Sequence, residues 1–452
     1  MNDSIQSLAY SDLQPGDSAC MTRRLTLQEL RQYAGDEEQG DGSLFRRLMT
    51  GGMWATALVT VAVATRLPGL GSRVLQQDVR YTGAIRLGES VEITLTVREK
   101  QEAQRVLLDC VCRARDGGTV LEGSVLVEAP ESSRPLHGTD IGSLDDGLSR
   151  RQLQRLLGLA RGLPALRMAV VHPVDVESLG GAMEAARRGL IEPVLVGPQR
   201  RVREAAEKAG IDLGDTRLVD TEHSHAAAEK AVALVRDGEA GGLMKGALHT
   251  DEFMGAIVGS GSGMRTERRM SHAWVMDVPT YPRPLIITDS ALNIRPDLVA
   301  KADIARNAIE LAHAMGVETP RLAVLSATEE INPQIQSTLD AAALCKMADR
   351  GQITGGELDG PLAFDNAISE VAARTKGIQS SVAGRPDILL APDLESANML
   401  GKQLHYLADA EAAGIVCGAR APVVLTSRAD DRFSRVASCA IALLMARDQA
   451  DG

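Results

Sequence analysis

A hydroxyl, a guanidinium and two carboxylates stand close together near the end of the chain. The segment 426–431 reads T-S-R-A-D-D and directly follows a short apolar predicted strand. The guanidinium of Arg428 could hold a phosphoryl group through two hydrogen bonds, and the hydroxyl of Ser427 could stabilise an oxyanion. A carboxylate of Asp430 or Asp431 could accept a proton from a thiol. These residue types suit acyl transfer to or from phosphate, although the same residues could equally cap the next helix.

Lys245 and Thr250 form a second candidate group. Lys245 follows the pair Gly241-Gly242, and Thr250 opens the next predicted helix. A lysine and a hydroxyl beside glycine-rich backbone at a helix N-terminus suit the binding of an anion. A capping threonine and a surface lysine would explain the same residues, so both interpretations stay open on the sequence alone.

Polar residues also follow other predicted strands. Asp289 lies in the apolar stretch P-L-I-I-T-D-S, and Arg295 comes shortly after it. Asp359 begins D-G-P-L-A-F-D-N, a predicted turn followed by a helix. Polar groups past the carboxyl end of a strand lie at the functional edge of an α/β sheet, so all three are candidates for binding substrate. Turn formation and helix capping are the alternative for Asp289 and Asp359.

Several common site motifs are missing from the sequence. There is no G-x-x-x-x-G-K-[ST], so a P-loop nucleotide site is not expected. The glycine-rich run 259–263 does not complete G-x-G-x-x-G, because Thr266 occupies the final position. His223-Ser224-His225 has no cluster of carboxylates or thiols near it in the sequence, so we predict no metal site.

The elements around these candidates differ between two parts of the chain. An apolar predicted helix within 44–65 comes first, and a linker rich in Ser, Gly, Pro and Asp covers about 130–150. Four strand-like stretches lie between them, at 73–82, 90–98, 105–114 and 120–128. This order predicts a small α+β body. Beyond the linker, short apolar strands alternate with helices, which predicts mostly parallel sheets with helices on both faces. About 300 residues is long for one such sheet, so we expect two subdomains with a cleft between them.

The composition is that of a globular protein whose cores are built from aliphatic residues. Of the 452 residues, 44% are hydrophobic but only 2% are aromatic, and the formal net charge is −11. An acidic chain with few aromatic rings is poorly suited to nucleic acid, so we predict no nucleic-acid partner. No apolar run approaches the length of about 20 residues that spans a bilayer, so no membrane partner is predicted. The absence of signal-peptide order and the scattered cysteines favour the cytoplasm.

Residues 151–452 resemble one family, the phosphate acetyltransferases and phosphate butyryltransferases. The resemblance rests on L-M-K-G-A-L-H-T, on M-S-H-A-W-V-M-D through L-N-I-R-P-D-L, on D-G-P-L-A-F-D-N-A-I-S, and on S-V-A-G-R-P-D-I-L-L through V-V-L-T-S-R-A-D. It implies a two-lobed α/β acyltransferase with three-layer, mostly parallel sheets and the site in the cleft. One lobe would comprise about 151–295 plus 425–452, and the other about 296–424.

The family's reaction converts acyl-CoA and inorganic phosphate into acyl phosphate and CoA, with no metal or redox cofactor at the site. The resemblance therefore implies these molecules as partners, CoA as a substrate rather than a cofactor, and a homo-oligomer of two or more chains. Ser427 and Arg428 match the family's conserved pair, which stabilises the transition state and binds phosphate. An Asp near that pair deprotonates the CoA thiol in the acetyl branch, and here Asp430 and Asp431 are both candidates.

Two departures from the family pattern bear on the acyl chain. This chain reads S-R-A-D-D where the acetyl branch reads S-R-G-C, and D-G-P-L-A where that branch has D-G-E-L-Q. Both departures resemble the butyryl branch. We expect acetyl-CoA as the substrate, with a longer acyl-CoA as one alternative and a non-catalytic acyl-CoA sensor as another. The intact Ser427-Arg428 pair with its adjacent acids favours catalysis.

The substrates are anions, whereas the net charge of the chain is −11. The site must therefore be locally basic if it is to attract CoA and phosphate. Candidates to supply that field are Arg265, Arg268, Arg269, Arg283, Arg295 and Arg428.

Residues 13–130 resemble the MaoC-type hot-dog domain of (R)-specific enoyl-CoA hydratases, with a linker following at 131–150. The evidence is the order of elements and the stretch from T-G-G-M-W-A-T to V-E-I-T-L-T-V. Those hydratases carry G-D-x-N-P-x-H, whose Asp and His activate water. Here Asp36 is followed by E-E-Q-G-D, and the first 136 residues contain no His. Hydration needs a group that moves a proton near neutral pH, so we predict a catalytically inactive domain that serves assembly, with capture of CoA as the alternative.

The isolated segment 1–135 is expected to show no hydration of crotonyl-CoA, because it has no His to work with Asp36. Loss of the enoyl thioester would be followed spectrophotometrically, with an (R)-specific hydratase as the positive control. Measurable turnover by the segment would overturn the prediction of an inactive domain.

Overall fold

The computed structural model divides the chain into two compact units, Met1–Leu144 and Asp145–Gly452. The residues that it describes are 8–25, 52–86, 88–114, 117–131, 150–427 and 430–451. Within these residues each unit has an apolar core of its own. The domain bounds expected from the sequence, 13–130 and 151–452, stay predictions.

The first unit packs one helix against an antiparallel sheet. Its elements are β1 (Ser18–Arg24), α1 (Trp54–Thr65), β2 (Arg73–Tyr81), β3 (Ser90–Gln101), β4 (Arg105–Ala114) and β5 (Thr119–Glu128). The described strands are ordered β1-β3-β4-β5-β2. Trp54 and Leu58 of α1 share one buried core with Ile93 and Leu108 of the sheet. A buried helix covered by a meander of antiparallel strands confirms the predicted α+β hot-dog fold.

The sequence missed β1, whereas the four strands that it predicted are confirmed. β1 is an edge strand in which only Met21 is buried, so it has no apolar alternation to reveal it. Cys110 and Cys112 of β4 are both fully buried on one face of the sheet. Burial raises the pKa of the Cys110 thiol to about 11. All six cysteines of the chain are free thiols.

The second unit alternates strands and helices along most of its length. Its helices are α2 (Arg151–Ala160), α3 (Val176–Arg187), α4 (Gln199–Ala209), α5 (Ser224–Arg236), α6 (Thr250–Val258), α7 (Leu298–Ala314), α8 (Gln336–Asp349), α9 (Phe364–Ile368), α10 (Glu370–Thr375), α11 (Leu394–Leu407) and α12 (Arg432–Asp451). Its strands are β6 (Leu166–Val171), β7 (Ile191–Gly197), β8 (Leu218–Asp220), β9 (Gly242–Lys245), β10 (Ser271–Asp277), β11 (Leu285–Thr288), β12 (Arg321–Leu325), β13 (Glu357–Leu362), β14 (Ile388–Leu390), β15 (Glu411–Cys417) and β16 (Val423–Val424). None of the helices in the described part combines the length and apolarity that crossing a bilayer would need.

The described strands of the second unit form one eleven-stranded sheet, ordered β13-β12-β14-β11-β10-β15-β16-β9-β6-β7-β8. At one end β16, β9, β6, β7 and β8 are parallel, and at the other end β11, β14, β12 and β13 are parallel. Three antiparallel pairings, β11 with β10, β10 with β15 and β15 with β16, separate the two groups. Because three reversals invert the direction, the two groups run in opposite senses. The predicted mostly parallel sheet is confirmed.

The two faces of this sheet are packed differently. Successive residues of a strand alternate between the faces, so Met168 and Val170 join one apolar cluster while Ala169 and Val171 join another. On the first face, α2, α3, α4, α7, α8 and α12 cover a single cluster. On the second face, α5 and α6 cover one cluster, and α9, α10 and α11 cover a separate one. Helices on both faces and two clusters on one of them agree with the predicted two-lobed fold, while the bounds of the lobes stay predictions.

The start of α2 is tied to the end of β10 by a buried carboxylate. Asp277 is 2% exposed, and its Oδ2 accepts hydrogen bonds from the backbone amides of Gln152 at 2.6 Å and Leu153 at 3.0 Å. The residue at the N-cap of this helix, Arg150, makes no capping hydrogen bond. Asp277 therefore satisfies the amides that open α2 from a strand far away in the sequence. Burial raises the pKa of the Asp277 carboxyl.

Asp277→Ala is expected to lower the free energy of unfolding by about 2–4 kcal/mol, since each buried amide left without a partner costs about 1–3 kcal/mol. Denaturant unfolding followed by circular dichroism would measure the change. Asp175→Ala is the matched control, because Asp175 is exposed and caps α3 through the amide of Ser178 at 2.7 Å. Water can replace an exposed cap, so the control should lose only about 1 kcal/mol. Equal losses would contradict the role given to burial.

Candidate active site

The loop from β16 to α12 carries the residues with the clearest chemistry. Thr426 is buried and Ser427 is exposed at the carboxyl end of β16. The backbone amide of Ser427 donates a hydrogen bond of 2.7 Å to Oδ2 of Asp430. The loop therefore holds a carboxylate against the backbone of an exposed serine. Arg428 and Ala429 lie outside the described residues, so the role of Arg428 stays a prediction.

Asp430 and Asp431, both predicted as candidate bases, have different surroundings. Oδ1 of Asp431 accepts from the amide of Ser434 at 2.8 Å, and its Oδ2 accepts from Arg150 at 3.0 Å. Arg150 also binds Glu411 at 2.9 Å. Asp431 therefore caps α12 and takes part in an ion-pair network, with both of its oxygens engaged.

The carboxyl of Asp430 is better suited to accept a proton. Burial raises its pKa, and the Ser427 amide and the positive charge of Arg435 oppose that shift only in part. A carboxylate whose pKa is raised towards neutrality is a stronger general base than one at its ordinary value. Of the two predicted acids, Asp430 has the geometry and the environment of a base.

Lys245 and Thr250 lie at the same edge of the sheet as Ser427. β9 is parallel to β16, with Met244 opposite Val424, so Lys245 ends its strand beside the start of the loop. Lys245 is 3% exposed, which excludes the surface lysine that the sequence left open. Thr250 is the first residue of α6 and is not its cap. The cap is His249, which forms a capping box with Glu252. The alternative interpretation of Thr250 as a capping threonine is therefore wrong.

Asp289 is buried and organises its own turn. Its Oδ1 accepts from the amides of His272, Ala291 and Leu292 at 3.1 Å each, and its Oδ2 accepts from the amide of Asn293 at 3.0 Å. A carboxylate with these partners stabilises the turn at the end of β11. This is the alternative role that the sequence analysis gave for Asp289. It has little capacity left for a ligand, and its charge would repel a phosphate.

The structure does not bring Asp289, Arg295 and Asp359 together with Ser427. They lie at or after strands of the group that runs opposite to β9 and β16, so the carboxyl ends of their strands meet the other edge of the sheet. Arg295 is exposed in the loop before α7, and Asp359 lies within β13, where its Oδ1 accepts from the amide of Gly360 at 2.8 Å. Among the described residues, no hydrogen bond or ion pair joins these three to Ser427, Asp430 or Asp431.

His272 connects the two groups of strands, although the sequence did not single it out. Its Nε2–H donates to the carbonyl of Leu425 at 3.3 Å, and its Nδ1 accepts from the hydroxyl of Ser290 at 3.0 Å. Burial lowers the pKa of His272, so the imidazole is neutral. The signal in the sequence was a histidine inside the apolar strand S-H-A-W-V-M-D, which is typical of a buried polar group that needs partners.

Arg435 is the second residue that the sequence missed. It is 4% exposed on α12 and donates to Oγ1 of Thr426 at 2.9 Å and to the carbonyl of Ser427 at 3.0 Å. No local pattern distinguishes this arginine from the others of the same helix, because its partners belong to another element. Arginines predicted to supply a basic field are engaged elsewhere: Arg268 pairs with Glu310, Arg283 with Asp387, and Arg269 donates to Asn293.

The described residues contain no group of three or more His, Cys, Asp or Glu side chains placed to hold a metal ion. His225 instead pairs with Glu252 at 3.0 Å, and Nδ1 of His223 accepts from the amide of Ala226 at 3.2 Å. These two histidines therefore have partners within the protein.

The second unit is an α/β sheet with a hydroxyl, a carboxylate and a buried lysine at one edge, and its fold matches that of phosphotransacylases. A crystal structure of a branched-chain phosphotransacylase from Enterococcus faecalis matches with a TM-score of 0.55 at 26% identity, covering 62% of this chain and 99% of that one. The phosphate acetyltransferase of Rhizobium meliloti is 57% identical over 292 residues, which are 65% of this chain and 92% of that relative. The phosphate butyryltransferase of Clostridium beijerinckii is 41% identical over 296 residues, 66% of this chain and 98% of the relative.

A family model described as Phosphate acetyl/butaryl transferase matches residues 224–443. With this match and the coverage of the relatives, the chain belongs to the phosphate acetyl/butyryl transferase family. The resemblance inferred from the sequence is thereby confirmed for the second unit.

Proposed function

We propose that this chain is a phosphate acetyltransferase, which exchanges an acetyl group between CoA and inorganic phosphate. The observation that carries the proposal is the loop at the end of β16, where Asp430 is held against the amide of the exposed Ser427. Lys245 ends the neighbouring parallel strand at the same edge of the sheet. Together these groups supply a hydroxyl, a base and a cation for a reaction between two anions.

Asp430, Ser427 and Arg428 each have a separate role in the acyl transfer. When acyl phosphate is consumed, Asp430 takes the proton of the CoA thiol and the sulfur attacks the acyl carbon. A carbon–sulfur bond forms, the carbon–oxygen bond to phosphate breaks, and phosphate leaves. The hydroxyl of Ser427 donates to the oxyanion that develops on the carbonyl, and Arg428 binds the phosphate. In the reverse direction Asp430 returns its proton to the departing sulfur.

Acetyl-CoA is the preferred substrate in this proposal. Four phosphate acetyltransferases are 54–57% identical to the chain, whereas phosphate butyryltransferases are 38–42% identical and the phosphate acetyltransferase of Thermotoga maritima is 40% identical. The alternative of a longer acyl chain has support from S-R-A-D-D and D-G-P-L-A, the two departures from the acetyl pattern. A non-catalytic acyl-CoA sensor has no need of the carboxylate that is held beside Ser427.

The remaining parts of the proposal concern the whole chain. The first unit serves assembly rather than catalysis, and Asp36, its predicted acid, lies outside the described residues. A homo-oligomer is supported by exposed apolar side chains of the second unit, among them Val299, Met399 and Leu407. A cytoplasmic location is supported by six free thiols, the state that reducing compartments maintain.

The full chain is expected to release free thiol from acetyl-CoA only when inorganic phosphate is present. Initial rates with acetyl-, propionyl- and butyryl-CoA, measured with a thiol reagent, would test the activity and the acyl chain length together. Arg428→Ala should lower the rate by about a hundredfold or more, because a charge-assisted contact to phosphate is lost, while circular dichroism stays unchanged. A faster rate with butyryl-CoA would support the longer-chain alternative. The absence of any release would support the sensor, and near-normal turnover by Arg428→Ala would exclude the assigned site.

Asp430→Asn is expected to lower kcat with CoA and acetyl phosphate by about a hundredfold or more, because the base is lost. The wild-type rate should fall as the pH drops through the raised pKa of Asp430, since only the ionised carboxylate accepts a proton. This acid limb should be absent from the pH profile of Asp430→Asn. The matched variant Asp431→Asn retains an oxygen to cap α12 and should keep the limb while losing stability. An acid limb that depends on Asp431 instead would reverse the assignment.

A further inference from the structure

We propose that Arg435 is a positioning residue for the transfer reaction, one that fixes the backbone of the Ser427 loop and places a permanent buried charge beneath it. The inference rests on the proposed function of that loop. Arg435 lies on α12 and does not belong to the S-R-A-D-D motif that carries the chemistry.

The contacts of Arg435 tie the helix to the loop at two points. One Nη atom donates to the hydroxyl of Thr426 at 2.9 Å, and the other donates to the carbonyl of Ser427 at 3.0 Å. The two acceptors are consecutive residues at the end of β16, so the planar guanidinium fixes the direction in which the chain leaves the sheet. The orientation of the Ser427 hydroxyl and of the amide that binds Asp430 depends on that direction.

The position of Arg435 is prepared by a glycine on another helix. A Cβ at Gly181 of α3 would lie 2.7 Å from Cδ and 2.9 Å from Cβ of Arg435, closer than real Cβ atoms approach. Gly181 is buried inside α3, where a glycine costs helix stability relative to alanine. The glycine at position 181 therefore lowers the stability of α3, but it allows the aliphatic part of the Arg435 side chain to pass close to that helix.

The adjacent residues provide an internal comparison. Gly180 faces Arg432 in the same way, since a Cβ at Gly180 would lie 2.9 Å from Nε of Arg432. The side chain of Arg432 is 47% exposed and lies 3.6 Å from Glu177, and among the described residues it makes no hydrogen bond to Thr426 or Ser427. The two glycine–arginine pairs share one helix interface, but only the pair of Gly181 and Arg435 reaches the loop.

The buried charge of Arg435 has no carboxylate paired with it in the described part of the chain. Its Nε also has no hydrogen-bond partner. A buried positive charge without a carboxylate in direct contact is costly in the free protein, and an anion bound at the loop lowers that cost. Arg435 therefore favours phosphate and acyl phosphate through its field, without touching them.

The same charge acts on Asp430. The charged or titratable groups that influence this carboxyl are Arg435, His405 and Asp431, of which the first two favour the ionised form and the third opposes it. Burial raises the pKa of Asp430, and without Arg435 this effect is less opposed. The carboxyl then holds its proton to higher pH, and the base is lost over a wider acidic range.

The test compares Arg435→Gln and Arg435→Lys with Arg432→Gln, and Gly181→Ala with Gly180→Ala, in the full chain. Rates are expressed per folded protein, as judged by circular dichroism and thermal melting. Arg435→Gln should raise KM for inorganic phosphate and lower kcat, each by about tenfold or more, the effect of losing a charge-assisted contact at the loop. The acid limb of its pH profile should move to higher pH.

Arg435→Lys separates charge from geometry. The lysine keeps the charge but cannot donate to both acceptors in one plane, so the acid limb should stay near the wild-type position while kcat falls. Gly181→Ala should lower kcat with little change in the acid limb of the pH profile, because it displaces the Arg435 side chain without removing its charge. Arg432→Gln and Gly180→Ala should retain the wild-type KM, kcat and pH profile.

The outcomes distinguish this inference from the proposed function. The wild type could be active while the Arg435 and Gly181 variants lose activity only in proportion to the folded protein, like the Arg432 and Gly180 variants. That result would overturn the role of Arg435. An unmoved acid limb in Arg435→Gln overturns the effect on Asp430. If the wild type itself releases no thiol in the presence of phosphate, the proposed function fails, and the role of Arg435 fails with it.

Discussion

The close approach of β15 to β16 at Gly414 is the constraint on which the site depends. The amide of Leu425 donates to the carbonyl of Gly414 at 3.2 Å, and a Cβ at position 414 would lie 2.2 Å from the carbonyl oxygen of Leu425. The same open space lets His272 reach across β15 to that carbonyl. On the other side, the hydroxyl of Ser438 on α12 accepts from the amide of Gly414 at 3.0 Å. Any side chain at Gly414 would displace β16, and with it the start of the Ser427 loop.

The terminal helix α12 is the second support of the loop. Asp431 caps its start, Arg435 binds the backbone of the loop, and Ser438 one turn later contacts β15. The helix shares the continuous apolar cluster with α2 and α3 on the first face of the sheet. The described ends of the loop, Thr426–Ser427 and Asp430–Asp431, are therefore held from the sheet and from a packed helix at once, as a rigid framework for charged groups requires.

Much of the architecture was predictable because it follows from hydrophobic periodicity. The strands of the first unit were recognised from alternation, and β1 was missed because an edge strand with one buried residue has none. In the second unit the alternation of strands and helices predicted a mostly parallel sheet, as observed. The reversal of direction through β10 and β15 was not predictable, because it depends on which strands pair. That reversal is why Asp289 and Ser427, each past a strand end, do not share an edge.

For the candidate site too, some features followed from the sequence and others depended on the tertiary structure. The sequence by itself determined the family, because the residue types of the four matching segments and their order do not depend on the fold around them, and it suggested the chemistry of S-R-A-D-D. It also marked Lys245 and Thr250, but could not decide whether they were surface residues. Only the tertiary structure separated Asp430 from Asp431, buried Lys245 and brought Arg435 under the loop. Those outcomes depend on burial and on distances between residues remote in the sequence, such as Arg435 and Gly181, and neither quantity is present in a linear pattern.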